Sequence, residues 1–181
     1  MPTPFTFYGH PIPPAEAIGT LQKLYDELEA MLGEVMPHIQ IHATHALDDM
    51  EHYVATMKMT RSHPEIPLEW FALLRFYVAS QKGFSYCREL NERMLTGMGI
   101  ELDLLGRFAK DLTLAPLDER LKLLLAKAVK SLEDSGHFNR EDFEELYALS
   151  WSDKTIYEAI SYATWFLGVA HKLDVYRIKE N

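Results

Sequence analysis

The chain has 181 residues, of which 48% are apolar, enough for one domain to bury a core without disulfides or a structural metal. A formal charge of −9 excludes the basic footprint that nucleic acid or an anionic membrane requires of a main partner. The only cysteine, Cys87, excludes an intramolecular disulfide and fits a reducing compartment.

The first fourteen residues carry Pro2, Pro4, Pro11, Pro13 and Pro14 and read as an extended arm. They lack the basic start and apolar stretch of a secretory signal, so a cytoplasmic protein is expected. Ile18, Leu21, Leu24, Leu28 and Leu32 recur at helical spacing, and Gly33 stands where a C-terminal cap belongs. A second helix is predicted from about Pro37 to about Met59, with Ile39, Ala43, Leu47, Met50, Val54 and Met57 as its apolar stripe. Pro64 disfavours helix at His63, and Pro67 suits the first position of the next helix. From Leu68 to Ser80 nearly every residue is apolar without strand alternation, which predicts a buried helix. This is the most apolar stretch, and it falls short of the ~20 residues a membrane span needs.

Gly83 interrupts, and a further helix carries Phe84, Cys87, Leu90, Asn91 and Met94 on one face. A short helix is predicted over Glu101–Asp111, and another on the stripe Leu117, Leu121, Leu124, Ala128 and Leu132. Asn139 is placed to cap a helix through Leu149, with Glu141 and Asp142 favourable in its first turn. Ser152 is placed to cap the last helix, on Ile156, Ile160, Ala163, Leu167 and Ala170. No strand or hairpin signal emerges, so the expectation is an all-α, single-domain chain with about eight helices.

Two groups of residues carry candidate chemistry. His38, His42, His45 and His52, with Asp49, lie on the predicted second helix at alternating spacings of four and three, which puts all five on one stripe at the border of the core. A His-x-x-x-His pair can bind zinc. No cysteine or glutamate in the segment completes such a site, so a polar helix edge without tightly held metal is expected. His10, His63, His137 and His171 read as structural. The second group surrounds Cys87. Near a helix N-terminus a thiol tends to ionise more readily, and Lys82 and Arg88 are close in sequence. Cysteine is equally a small core residue, and Phe84 and Leu90 favour that reading. Arg75, inside an apolar run, requires a partner, for which Glu101 and Asp103 are candidates. No phosphate-binding glycine loop, dinucleotide fingerprint or serine nucleophile elbow is present, and no cofactor is expected.

The segment ALLRFYVASQKGFSYCRELN, Ala72 to Asn91, resembles the signature of the AhpD-like / carboxymuconolactone decarboxylase family. In that family a Glu precedes a Cys-x-x-Cys pair, and a His follows one turn later. Those four positions fall on Ala72, Phe84, Cys87 and Asn91, so only the second cysteine is kept. The stretch IPPAEAIGTLQKLYDELEAMLGEVMP is similar to the family's opening helix. Leu117 to Val169, with ALSWSDKTIYEAISYA, is similar to its later helices.

The resemblance implies an AhpD-like helical bundle and a homo-oligomer. It also implies alkylhydroperoxidase (peroxiredoxin-type) antioxidant activity, on a small-molecule peroxide, with catalytic roles at Cys87, Tyr86 and Asn91. Without the second cysteine, an external thiol would have to resolve the sulfenic acid. Two alternatives follow from the same resemblance: a decarboxylase-like enzyme acting on a small carboxylated ring, and a non-enzymatic ligand-binding oligomer. Met31, Met36, Met57, Met59, Met94 and Met98 add interface-like surface to the oligomer expectation.

Overall fold

The computed structural model describes residues 5–6, 8–177 and 179–180, the first and last pairs by backbone alone. The described chain is all-helical apart from one two-residue antiparallel ladder. In it Phe5–Thr6 (β1) pairs with Lys179–Glu180 (β2), in the register Phe5 to Glu180 and Thr6 to Lys179. Two residues are too few to show alternation, which is why the sequence carries no strand signal there. Nine α-helices are described, where about eight were expected.

The chain divides into two compact units, one of residues 1–58 and 173–181 and the other of residues 59–172. In the first unit, α1 (Gly19–Leu32) buries Leu21, Tyr25 and Leu28, and ends on Gly33 at φ 85. A residue without a Cβ adopts that left-handed turn without strain. Ile18, expected on the apolar stripe, is 83% exposed, and Tyr25 takes a core place that the leucine pattern did not mark. Of the proline-rich arm, residues 1–4 and 7 lie outside the described residues. The remainder is tied down by Ile12 N donating to Thr44 Oγ1 (2.8 Å) and by Tyr25 OH donating to Ile12 O (2.9 Å).

The helix expected from Pro37 to Met59 is two helices. The first, α2 (Pro37–His45), stops at Ala46, whose φ of −147 and ψ of 52 leave helical space. A 3₁₀ turn at Leu47–Asp49 follows, and α3 runs from Met50 to Ser62. The apolar spacing passes through the break unchanged, so periodicity alone missed it. Adjacent Asp48 and Asp49 favour a helix start, where they complement the N-terminal dipole.

The second unit is built on α4 (Leu68–Lys82). It is packed on nearly all sides, with Trp70, Phe71, Ala72, Leu73, Leu74, Phe76, Val78 and Ala79 buried. Pro67 is its N-cap residue rather than its first helical one. Gly83, at φ 74, turns the chain into α5 (Ser85–Gly97). Around this pair lie α6 (Leu102–Phe108), α7 (Glu119–Glu133), α8 (Arg140–Ala148) and the long α9 (Asp153–Val175), which continues into the first unit. Asn139 caps α8 in a full capping box with Asp142. Ser152 Oγ accepts from Thr155 N at 3.1 Å at the start of α9. Among the described residues, no helix is long and apolar enough to cross a membrane.

Candidate functional site

Cys87 is the third residue of α5, delivered by the Gly83 turn and by Phe84 at the N-cap. It is buried, at 5% exposure, with Tyr86 at 7% and Asn91 at 3%. The two positions where the resemblance implies a Glu and a first cysteine hold Ala72 and Phe84, both buried apolar side chains. Arg88 is directed away from the thiol's buried side. Its guanidinium pairs with Glu92 at 3.5 Å and Glu89 at 4.0 Å, and the side chain is 44% exposed. Lys82 is exposed as well.

Asn91 joins the helix of the thiol to the neighbouring helix. Its Nδ2 donates to Cys87 O at 2.7 Å, and its Oδ1 accepts from Arg75 Nε at 2.6 Å. Both ends of the amide are therefore engaged within the protein. Arg75 projects from α4 and was expected to find a carboxylate. Instead all its partners among the described residues are neutral. Besides Asn91, it donates through NH1 to Tyr162 OH at 2.5 Å and through NH2 to Met94 Sδ at 3.2 Å. Asp103 pairs with Arg107 at 3.2 Å instead.

Tyr162, on α9, is 3% exposed and packs edge-on to Phe71 at 4.8 Å between centroids. Sequence reasoning did not single it out, because a tyrosine on an apolar helix stripe looks like packing. The structure thus brings Cys87, Asn91, Arg75 and Tyr162 into one hydrogen-bonded chain across α5, α4 and α9.

The histidine stripe does not survive the break between α2 and α3. His38 is buried, with Nε2 at 2.9 Å from Tyr53 OH, whereas His45 and His52 are exposed. Among the described residues, no three His, Cys, Asp or Glu side chains gather as a metal site. Of the other histidines, His63 organises the loop before α4. Its Nδ1 accepts from Glu65 N and Ile66 N (3.1 and 2.9 Å), which leaves the proton on Nε2 to donate to Glu158 at 3.2 Å. His137 pairs with Asp134 at 2.6 Å on the surface, and His171 sits edge-on to Phe84 at 6.3 Å.

No protein-family model and no curated protein sequence matches the chain. Solved structures do. An uncharacterized peroxidase-related protein from Silicibacter sp. TM1040 is similar over 96% of this chain and 88% of its own, with a TM-score of 0.77 and 17% identity. A second, from Ralstonia eutropha JMP134, described as an alkylhydroperoxidase AhpD core, is similar over 95% of this chain and 91% of its own. Its TM-score is 0.78 and its identity 16%. At that identity the likeness speaks to architecture, and the architecture of this chain is the AhpD-like helical fold.

Proposed function

We propose that the protein is a peroxidase-type oxidoreductase that works through Cys87 alone, with an external thiol as reductant. The observation that carries this reading is the placement of the only cysteine. It stands in the first turn of α5, in the fold shared with peroxidase-related proteins, its own carbonyl held by Asn91. In the reaction, the Cys87 thiol gives up its proton, the thiolate attacks the distal peroxide oxygen, the O–O bond breaks, and the leaving alkoxide takes up that proton to depart as the alcohol. The resulting sulfenic acid condenses with one external thiol to give a mixed disulfide and water. A second external thiol displaces Cys87 and restores the thiolate. Tyr86 is the candidate hydrogen-bond donor to the peroxide, and Asn91 holds the turn that carries the thiol. No relay carboxylate stands at Ala72, and Cys87 is only 5% exposed, so turnover is expected to be slow.

The test is peroxide consumption with a dithiol donor, comparing wild type with Cys87→Ser. Weak turnover lost in the variant supports the proposal. Equal turnover in both assigns Cys87 to packing. A second reading, a ligand-binding oligomer that retains the fold, is favoured by the same burial of Cys87 and gains if wild type shows no turnover at all.

A further inference from the structure

A guanidinium among apolar side chains is normally matched by an anion, because a buried charge without one is costly. Arg75 is partly buried on a helix whose neighbouring residues Leu73, Leu74 and Phe76 are at most 1% exposed. Among the described residues its three partners are an amide oxygen, a phenol oxygen and a thioether. None carries charge, and sulfur is a weak acceptor. Carboxylates on α5 and α9 have other partners. Glu92 and Glu89 pair with Arg88, and Glu158, one turn before Tyr162, pairs with His63 and Lys154.

The donor count leads to the same place. A guanidinium has five N–H groups, and three are engaged here, so NH1 and NH2 each keep a second hydrogen. Tyr162 OH accepts from Arg75, and among the described residues its own hydrogen has no acceptor, although the residue is 3% exposed. The hydroxyl hydrogen and the two guanidinium hydrogens are left over beside a cation with no anionic partner among the described residues.

We propose that Arg75 and Tyr162 form a binding site for the carboxylate of a small organic ligand with an apolar body. The forked N–H groups match the two oxygens of a carboxylate, and the phenol supplies the third hydrogen bond. The half-buried Met94 side chain, beside the guanidinium, offers apolar contact to the ligand body. Asn91 and Met94, which Arg75 touches, follow Cys87 by four and seven residues on one face of α5. The anchor is therefore about 6–10 Å from Cys87 along the helix axis, a span that a short acyl chain covers. This site is independent of whether Cys87 turns over peroxide.

The experiment uses no peroxide. Isotope-labelled full-length protein is titrated with hexanoate and, as the neutral control, hexanamide, while the arginine Nε–H resonances are followed by NMR. The Arg75 resonance is identified by its loss in Arg75→Gln. The expected result is a saturable shift of that resonance with hexanoate and none with hexanamide, and about tenfold weaker hexanoate binding in Tyr162→Phe. Tyr162→Phe keeps the ring against Phe71 and so serves where Arg75→Gln does not fold. No saturable hexanoate response in wild type, an equal response to hexanamide, or undiminished binding in Tyr162→Phe would overturn the proposal.

Discussion

Replacing Asp142 with Asn changes one atom and removes the charge on which the junction of α7 and α8 is built. Its carboxylate is 4% exposed and accepts four hydrogen bonds. Lys127 Nζ reaches Oδ1 at 2.6 Å, Lys130 Nζ reaches Oδ1 and Oδ2 at 2.9 and 2.8 Å, and Asn139 N reaches Oδ2 at 2.8 Å. Hydrogen bonds from Lys127 and then Lys130 hold the Asp142 carboxyl far below its ordinary value of 3.8. Removing one member of a buried ion pair costs about 3–5 kcal/mol when the other is stranded. Here Lys127 keeps Glu145 at 2.7 Å and Lys130 is 35% exposed, so neither ammonium is fully stranded. The expected loss for Asp142→Asn at pH 7 is therefore about 2–3 kcal/mol.

A depressed native pKa gives stability that is fully present above the unfolded-state value and drains away as pH falls below it. The gap between wild type and variant should be constant from pH 7 to pH 5 and shrink by about 1 kcal/mol by pH 3. Urea denaturation of both proteins across that range measures it. A loss below about 1 kcal/mol at pH 7, or a gap that does not narrow in acid, would refute the reasoning.

Three further outcomes are expected. Arg120 lies over Trp151 at 3.4 Å, donates through Nε to Leu149 O at 3.0 Å, and pairs with Glu65 at 2.8 Å. Arg120→Lys keeps the charge but loses the planar fork and should cost about 1–2 kcal/mol in thermal unfolding, with a change in tryptophan fluorescence. Ser150 holds φ at 60, so Ser150→Gly should raise stability by about 1 kcal/mol, and a decrease would show that its side chain is needed there. Ile18, Tyr157, Val175 and Leu102 are exposed at 83, 74, 60 and 59%. These exposed residues and the methionine-rich composition lead us to expect an assembly in sedimentation, and a 20.9 kDa species alone at micromolar concentration would contradict this.

Much of the fold was legible because helix ends are local chemistry. Gly33, Asn139 and Ser152 act as caps through their own backbone freedom or side-chain oxygens, and each could be named from its neighbours. The helix break at Ala46 was not legible, since the apolar spacing continues through it and only Asp48 and Asp49 hint at a new start. The same limit applied to Tyr25, where a leucine repeat drew attention to Leu24 and Leu32 on the less buried side of α1.

The candidate site shows where local reading stops. That Arg75 needs a partner follows from its place in an apolar run, and the sequence stated that need. Which groups meet it depends on residues 16, 19 and 87 positions away, brought together only when α4, α5 and α9 pack. A carboxylate was the natural guess, because pairing is the usual fate of a buried cation. The structure supplies dipoles instead, and that difference has a consequence. A paired arginine is a neutral strut and has no need of a ligand. An arginine held in place by an amide and a phenol keeps its charge and two hydrogens available, beside a hydroxyl with one more. Such an arrangement raises the energy of the empty site and lowers that of a site holding a carboxylate, so specificity for an anion is built from neutral side chains. The family-like motif around Cys87 directed attention to sulfur. The hydrogen-bonded chain from Cys87 O through Asn91 and Arg75 to Tyr162 places the recognition of charge one helix away from it.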